Sequence, residues 1–386
     1  MDLELSWLLL GLPIAFVLGW LASRLDLRQL RLENRQAPKA YFKGLNFLLN
    51  EQQDQAIDAF IEAVQNDPDT SELHFALGNL FRRRGEYERA VRVHEHLLSR
   101  GDLSASDRQR AQHALALDFL KAGLLDRAED ALRKLEGTRF EAQARLALLA
   151  IYERSRDWPQ AADIAHKLEA SGQGSFGGRQ AHYLCEQAAA RQVAGDAAGA
   201  RTLLQQAITT SPSSPRPRIA LAQAQRAAGE TAAARDTLET LARDLPAALP
   251  LAATTLAELA SATGEAERVL RLLEASYDDT ASLDVLRAIV ALEAADPAGK
   301  PDAASERYVR HLEREPSLVA AAQWLSGERL THEQFHPQVQ RALDHAARPL
   351  QRYRCAACGF EAKQHFWQCP GCQAWDSYPA RRVEEL

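Results

Sequence analysis

The 386-residue sequence predicts an all-α protein: a long array of helical repeats, preceded by a membrane-spanning helix and closed by a small metal-binding domain. Three observations carry that reading. Residue types recur with a period of thirty-four, residues 5–23 hold no charge, and four of the five cysteines form two C-x-x-C pairs near the carboxy terminus. Alanine, leucine, arginine, glutamate and glutamine dominate the composition, which favours helix. Basic side chains number 46 against 52 acidic ones, a net charge of −6. That balance argues against a dedicated nucleic-acid binder, and no nucleic-acid partner is expected.

At the amino terminus, Leu5 to Ser23 reads L-S-W-L-L-L-G-L-P-I-A-F-V-L-G-W-L-A-S. A helix of this length reaches roughly 28 Å, close to the hydrocarbon thickness of a bilayer. Trp7 and Trp20 stand near its ends, where interfacial aromatics belong. A cleaved signal peptide would begin basic, whereas this chain begins with Asp2 and Glu4. The basic residues follow instead: Arg24, Arg28, Arg31, Arg35 and Lys39, against Asp26 and Glu33. The positive-inside rule therefore predicts a retained single-pass anchor over 1–23 and a basic juxtamembrane linker over 24–37, with the bulk of the chain cytoplasmic.

From residue 38 the repeats begin. Gly44, Phe47 and Ala56 recur as Gly78, Phe81 and Ala90, and Gly195, Ala200, Leu204 and Pro212 recur as Gly229, Ala234, Leu238 and Pro246. A thirty-four-residue period with small residues, an aromatic and a closing proline marks tetratricopeptide (TPR) helix pairs. Small residues let the paired helices cross closely, while Phe60, Leu132, Leu204 and Leu238 fill the space against the next repeat. Prolines at 68, 212, 246 and 316 stop second helices. About four repeats span 38–170 as a first lobe. The glycine-rich stretch 171–178 is expected to be a mobile loop between lobes, and 179–348 forms a second lobe with terminal helices. Few aromatics in 180–305 predict thinner packing there. Cys185, on a helical pattern, reads as a small buried packing residue.

First helices line the inner face of such arrays. In the usual register that face shows Tyr41, Phe75, Asn79, Arg82, Arg83, Lys121 and Arg154, a mixed apolar and basic surface suited to an acidic or amphipathic peptide. Any single arginine there also reads as a plain solvated helix-face charge.

The domain over 349–386 is organised by Cys355/Cys358 and Cys369/Cys372, with ten residues between the pairs. Two-residue spacing lets both sulfurs of a pair face one ion, and two pairs complete a tetrahedron. Four thiolates leave no open position, which points to structure rather than catalysis. The pattern C-x-x-C-G then C-P-x-C, among Phe360, Phe366, Trp367, Trp375 and Tyr378, resembles a rubredoxin-type knuckle pair. Tetrahedral sulfur suits zinc or iron. Gln373 replaces the glycine of the second knuckle, and the chain has no flavin or nicotinamide signature, so zinc is favoured. The domain is expected to pack against the carboxy-terminal repeats through Phe360, Phe366 and Trp367. His94 and His96, two apart on a helix, face different ways. His365, between the knuckles, is a spare ligand that four cysteines leave without work. No phosphate-loop, nucleophile-elbow or H-E-x-x-H motif is present, and the chain is not read as an enzyme.

The order of parts, with the terminal C-x-x-C-G…W-Q-C-P-x-C segment, resembles the lipopolysaccharide assembly protein B (LapB/YciM) family over essentially the whole chain. The four cysteines match that family's metal ligands. The resemblance implies an inner-membrane adaptor that works with the AAA+ metalloprotease FtsH to promote degradation of the deacetylase LpxC, limiting lipid A synthesis. It also implies a YejM/PbgA-type regulator and the small membrane partner LapA. Alternatives are an assembly scaffold without a proteolytic role and a rubredoxin-type electron carrier.

Overall fold

The computed structural model describes residues 16–18, 20, 42–66, 70–295, 302–328 and 333–386. The expected anchor and linker lie outside the described residues, apart from 16–18 and 20. Among the described residues no helix is long and apolar enough to cross a membrane. The chain divides into two compact units, Met1–Asp157 and Trp158–Leu386.

The first unit is built of helix pairs. Helix α1 covers 42–49 and is followed by α2 (Gln53–Asn66), α3 (Ser71–Arg84), α4 (Tyr87–Ser99), α5 (Ala105–Ala122), α6 (Leu125–Arg133) and α7 (Glu141–Ser155). The tight turn within a pair needs one left-handed residue. Gly85 (φ 86°) and Gly123 (φ 76°) supply it, and the next amides, Glu86 and Leu124, reach back to the carbonyls of Phe81 and Phe119. At the end of α7 Arg156 adopts φ 59° instead, with Asp157 N bonded to Tyr152 O. The small crossing residues behave as the period predicts. Ala56, Ala90 and Ala128 are fully buried, and a Cβ on Gly78 would lie 2.6 Å from the His94 ring. Phe60, Leu77, Phe81 and Ala90 share one core, and Phe75, Leu97 and Ala111 another. Helix α5 is capped by Ser104, whose Oγ accepts from Asp107 N at 3.0 Å.

The second unit continues with α8 (Trp158–Ala170), α9 (Gly177–Val193), α10 (Ala197–Thr210), α11 (Pro215–Ala227) and α12 (Thr231–Asp244). A 3-10 helix over Pro246–Leu251 precedes α13 (Ala253–Thr263), α14 (Ala266–Thr280), α15 (Leu283–Ala294), α16 (Ala303–Arg314), α17 (Leu318–Gly327) and α18 (His336–Ala347). Second helices α10 and α16 end just before Pro212 and Pro316, as expected of a residue that cannot continue them. Pro68 lies outside the described residues. Of the stretch 171–178, residues 171–176 form the short connection between α8 and α9, with Phe176 buried, while Gly177 and Gly178 open α9; the division between units falls one helix earlier.

The expectation of thin packing over 180–305 fails. An extensive core cluster lies there, with Leu238, Leu241, Leu249, Leu256 and Leu273 fully buried among alanines. Leucine against alanine brings helix axes close and needs no aromatic filler. Cys185 is buried as expected, and burial pushes its thiol up to about 11.

Candidate metal centre

After α18 the chain forms a two-stranded antiparallel ladder, β1 (Tyr353–Arg354) with β2 (Glu361–Ala362), pairing Tyr353 with Ala362 and Arg354 with Glu361. Each C-x-x-C pair sits in a tight turn. In the first, Gly359 N bonds Cys355 O at 2.8 Å and Cys355 N bonds Phe360 O at 2.9 Å. The second repeats the pattern, with Gln373 N to Cys369 O at 2.8 Å and Cys369 N to Ala374 O at 2.9 Å. The residue after each pair is left-handed: Gly359 at φ 78° and Gln373 at φ 60°. Gln373 therefore keeps the glycine geometry and bears the strain of a side chain there.

The turns bring Cys355, Cys358, Cys369 and Cys372 together, their sulfurs all within 4.8 Å of one another and none in a disulfide. Cys355 Sγ lies 3.8 Å from Cys372 Sγ, and Cys358 Sγ lies 3.7 Å from Cys369 Sγ. A tetrahedron with metal–sulfur bonds of about 2.3 Å has edges of roughly 3.8 Å, so the sulfurs fit one zinc or iron ion. Ser377 Oγ, 3.3 Å from Cys355 Sγ, favours the thiolate and brings Cys355 down to about 6. Tyr378 donates to Phe360 O at 3.1 Å beside Cys369. His365 takes no place in the cluster, and its Nε2 lies 3.0 Å from Tyr378 O.

Of the three residues expected to dock the domain, Trp367 does so and the other two do not. Phe360 is 44% exposed, and Phe366 packs on Tyr378 within the domain's own core. Trp367 alone of the three reaches a repeat helix, 6.1 Å from the His182 ring of α9. The main contact is Trp375, stacked on His182 at 4.6 Å and edge-on to Trp158 and Tyr183. Fully buried His182 holds Asp376 through Nε2 at 2.8 Å, while Arg216 approaches its Nδ1 and pairs with Glu186 at 2.6 Å. Contact thus falls at the beginning of the second unit, on α8 and α9, as well as on its later repeats. At the other end Arg382 pairs with Asp284 of α15 at 2.7 and 3.0 Å and lies 4.0 Å above the Tyr353 ring. Sequence reasoning missed His182, Asp284, Asp376 and Arg382. Trp375 carried the one usable signal, an aromatic beside the knuckles.

The residues expected on the peptide-binding face are scattered in role. Arg83, Lys121 and Arg154 are exposed, and Tyr41 lies outside the described residues. Phe75 is core, 1% exposed. Arg82 points inward, bonding Asp118 at 2.8 Å, Asn79 at 2.5 Å and the Ala114 carbonyl. Asp118 in turn holds His94 Nδ1 at 2.5 Å, both fully buried, while His96 is exposed.

Protein families that match the chain agree with this architecture. A LapB zinc-ribbon family, described as a rubredoxin metal binding domain, matches residues 353–378, and tetratricopeptide repeat families match 73–109 and 194–259. Lipopolysaccharide assembly protein B of Escherichia coli (strain K12) is 32% identical over 396 residues, covering 100% of both chains. The protein of that name from Haemophilus influenzae is 28% identical over 405 residues, covering 97% of each. Among solved structures, a tetratricopeptide repeat protein from Parabacteroides merdae covers 67% of this chain and 98% of its own, at 16% identity and a TM-score of 0.34. The end-to-end identity to the Escherichia coli protein shows that the chain belongs to the lipopolysaccharide assembly protein B family.

Proposed function

We propose that this protein is a non-enzymatic adaptor of the inner membrane that limits lipopolysaccharide synthesis by delivering the deacetylase LpxC to the protease FtsH. The carrying observation is the full-length likeness to lipopolysaccharide assembly protein B. Three features support the reading. The uncharged stretch 5–23 with its basic flank would tether the chain, bulk inside, in the plane where a membrane protease works, and tethering raises effective concentration without new contacts. Exposed Arg83, Lys121 and Arg154 suit an acidic segment of a partner. The four-sulfur cluster leaves no position for substrate, so zinc there would hold the domain folded. A YejM/PbgA-type regulator and LapA complete the proposed partner set.

Depletion of the protein tests the reading. The half-life of LpxC lengthens several-fold if the adaptor directs proteolysis; an unchanged half-life with impaired lipopolysaccharide assembly would replace the adaptor with a scaffold. A variant lacking residues 1–23 fails to restore turnover while remaining folded.

A further inference from the structure

The two cysteine turns are built alike, and one side chain breaks the likeness. In each turn the first sulfur belongs to a buried residue, Cys355 or Cys369, and the second to an exposed one, Cys358 or Cys372. Each buried sulfur takes backbone amides from its own turn: Ala357 and Cys358 for Cys355, Gly371 and Cys372 for Cys369. Water reaches the outer sulfurs, so the buried pair depends on the protein for any further hydrogen bond.

A hydroxyl stands beside each buried sulfur, but the two protons have different freedom. Tyr378 Oη lies 3.9 Å from Cys369 Sγ, and its proton goes to the Phe360 carbonyl at 3.1 Å. Ser377 Oγ lies closer to its sulfur, 3.3 Å from Cys355 Sγ, and 3.2 Å from the Ala374 carbonyl. One serine proton thus has two acceptors in reach. When Cys355 is a neutral thiol, its S–H donates to Ser377 Oγ and the serine proton goes to Ala374 O. When Cys355 is a thiolate, the charged acceptor is the stronger of the two and takes the serine proton. The surrounding backbone permits that turn of the hydroxyl. Ala374 O still accepts from Cys369 N at 2.9 Å, so it stays satisfied when the serine proton leaves. The carbonyl of Ser377 accepts from Ala356 N at 2.7 Å, which holds the residue against the first turn.

We propose that Ser377 is the positioning residue of the metal centre: its hydroxyl turns from the Ala374 carbonyl to the Cys355 sulfur when that sulfur ligates the ion, and so secures the buried ligand. Hydrogen bonds that orient a ligand in this way are worth about 10–100-fold in metal affinity. The inference concerns how the ion is retained and is independent of the adaptor role proposed above.

The test compares the full-length protein, purified in detergent and loaded with zinc or cobalt(II), with its Ser377→Ala and Ser377→Thr variants. Ser377→Ala keeps all four sulfurs and the backbone bond to Ala356, and it holds zinc against a chelator about tenfold or more less tightly. In the cobalt form its sulfur-to-metal charge-transfer band moves to lower energy, because no hydroxyl proton stabilises the sulfur lone pairs. Ser377→Thr, which retains the hydroxyl, keeps the parent band and most of the parent affinity. An alanine variant that matches the parent in both readouts overturns the proposal. So does either change without the other, since weaker retention with an unmoved band would make Ser377 a packing residue. Equal losses in the alanine and threonine variants overturn it as well.

Discussion

Replacing Trp375 with alanine isolates the docking of the metal domain from its metal. The indole is half-buried, stacked at 16° on His182 and edge-on to Trp158 and Tyr183. Half-burial of a tryptophan removes on the order of 100 Å² of apolar surface from water, roughly 2.5 kcal/mol at about 25 cal/mol per Å². The stacked contact adds about 1 kcal/mol. The expected cost is about 3.5 kcal/mol, within the usual range for tryptophan truncation. Urea denaturation of the zinc-loaded protein, followed by circular dichroism, reads it directly. With a slope near 3 kcal/mol per M, the second unit's midpoint falls by about 1 M, and a phenylalanine in place of the indole recovers most of the loss. The four sulfurs are not touched by this substitution, so bound metal stays stoichiometric at low urea. A midpoint shift below about 0.2 M would refute the docking argument.

Three further perturbations have defined signs. Gln373→Gly relieves a left-handed side chain at φ 60° and raises stability by about 0.5–1 kcal/mol, measured as a higher midpoint or slower metal loss to a chelator. Gly78→Ala forces a methyl to 2.6 Å from the His94 ring, which is pinned by Asp118, and lowers the first unit's stability by about 1–3 kcal/mol. Burial lowers the pKa of His311, whose Nδ1 lies 2.6 Å from the Tyr277 hydroxyl. The unfolded chain then binds more protons below its ordinary value of about 6.5, so this contribution is complete above that pH and is lost as pH falls from there through the folded value. The midpoint difference between about pH 7.5 and pH 5.5 accordingly shrinks in His311→Gln.

What could be read ahead of the structure followed from local rules. The period exposed the crossing positions, because only residues such as Ala56, Ala90 and Ala234 allow the approach that leaves each fully buried. The cysteine spacing named all four sulfurs now within 4.8 Å of one another. Arg156 escaped notice because an arginine in a left-handed turn carries no compositional signal. The packing of 180–305 was misjudged by counting aromatics where leucine and alanine interlock. Docking was illegible for a different reason. His182 and Asp376 stand 194 positions apart, and no local pattern links them. Arg382, Glu384 and Glu385 likewise read as an ordinary charged terminus until α15 and α17 are placed beside them.

Hydrogen–deuterium exchange on the zinc-loaded and chelator-stripped protein addresses the core of the account, that the sulfur-ligated domain braces the second helical unit. Loss of metal should release protection at the knuckles and also along α9 around His182 and at the amino ends of α15 and α17. Exchange that changes only within residues 353–378 would contradict it.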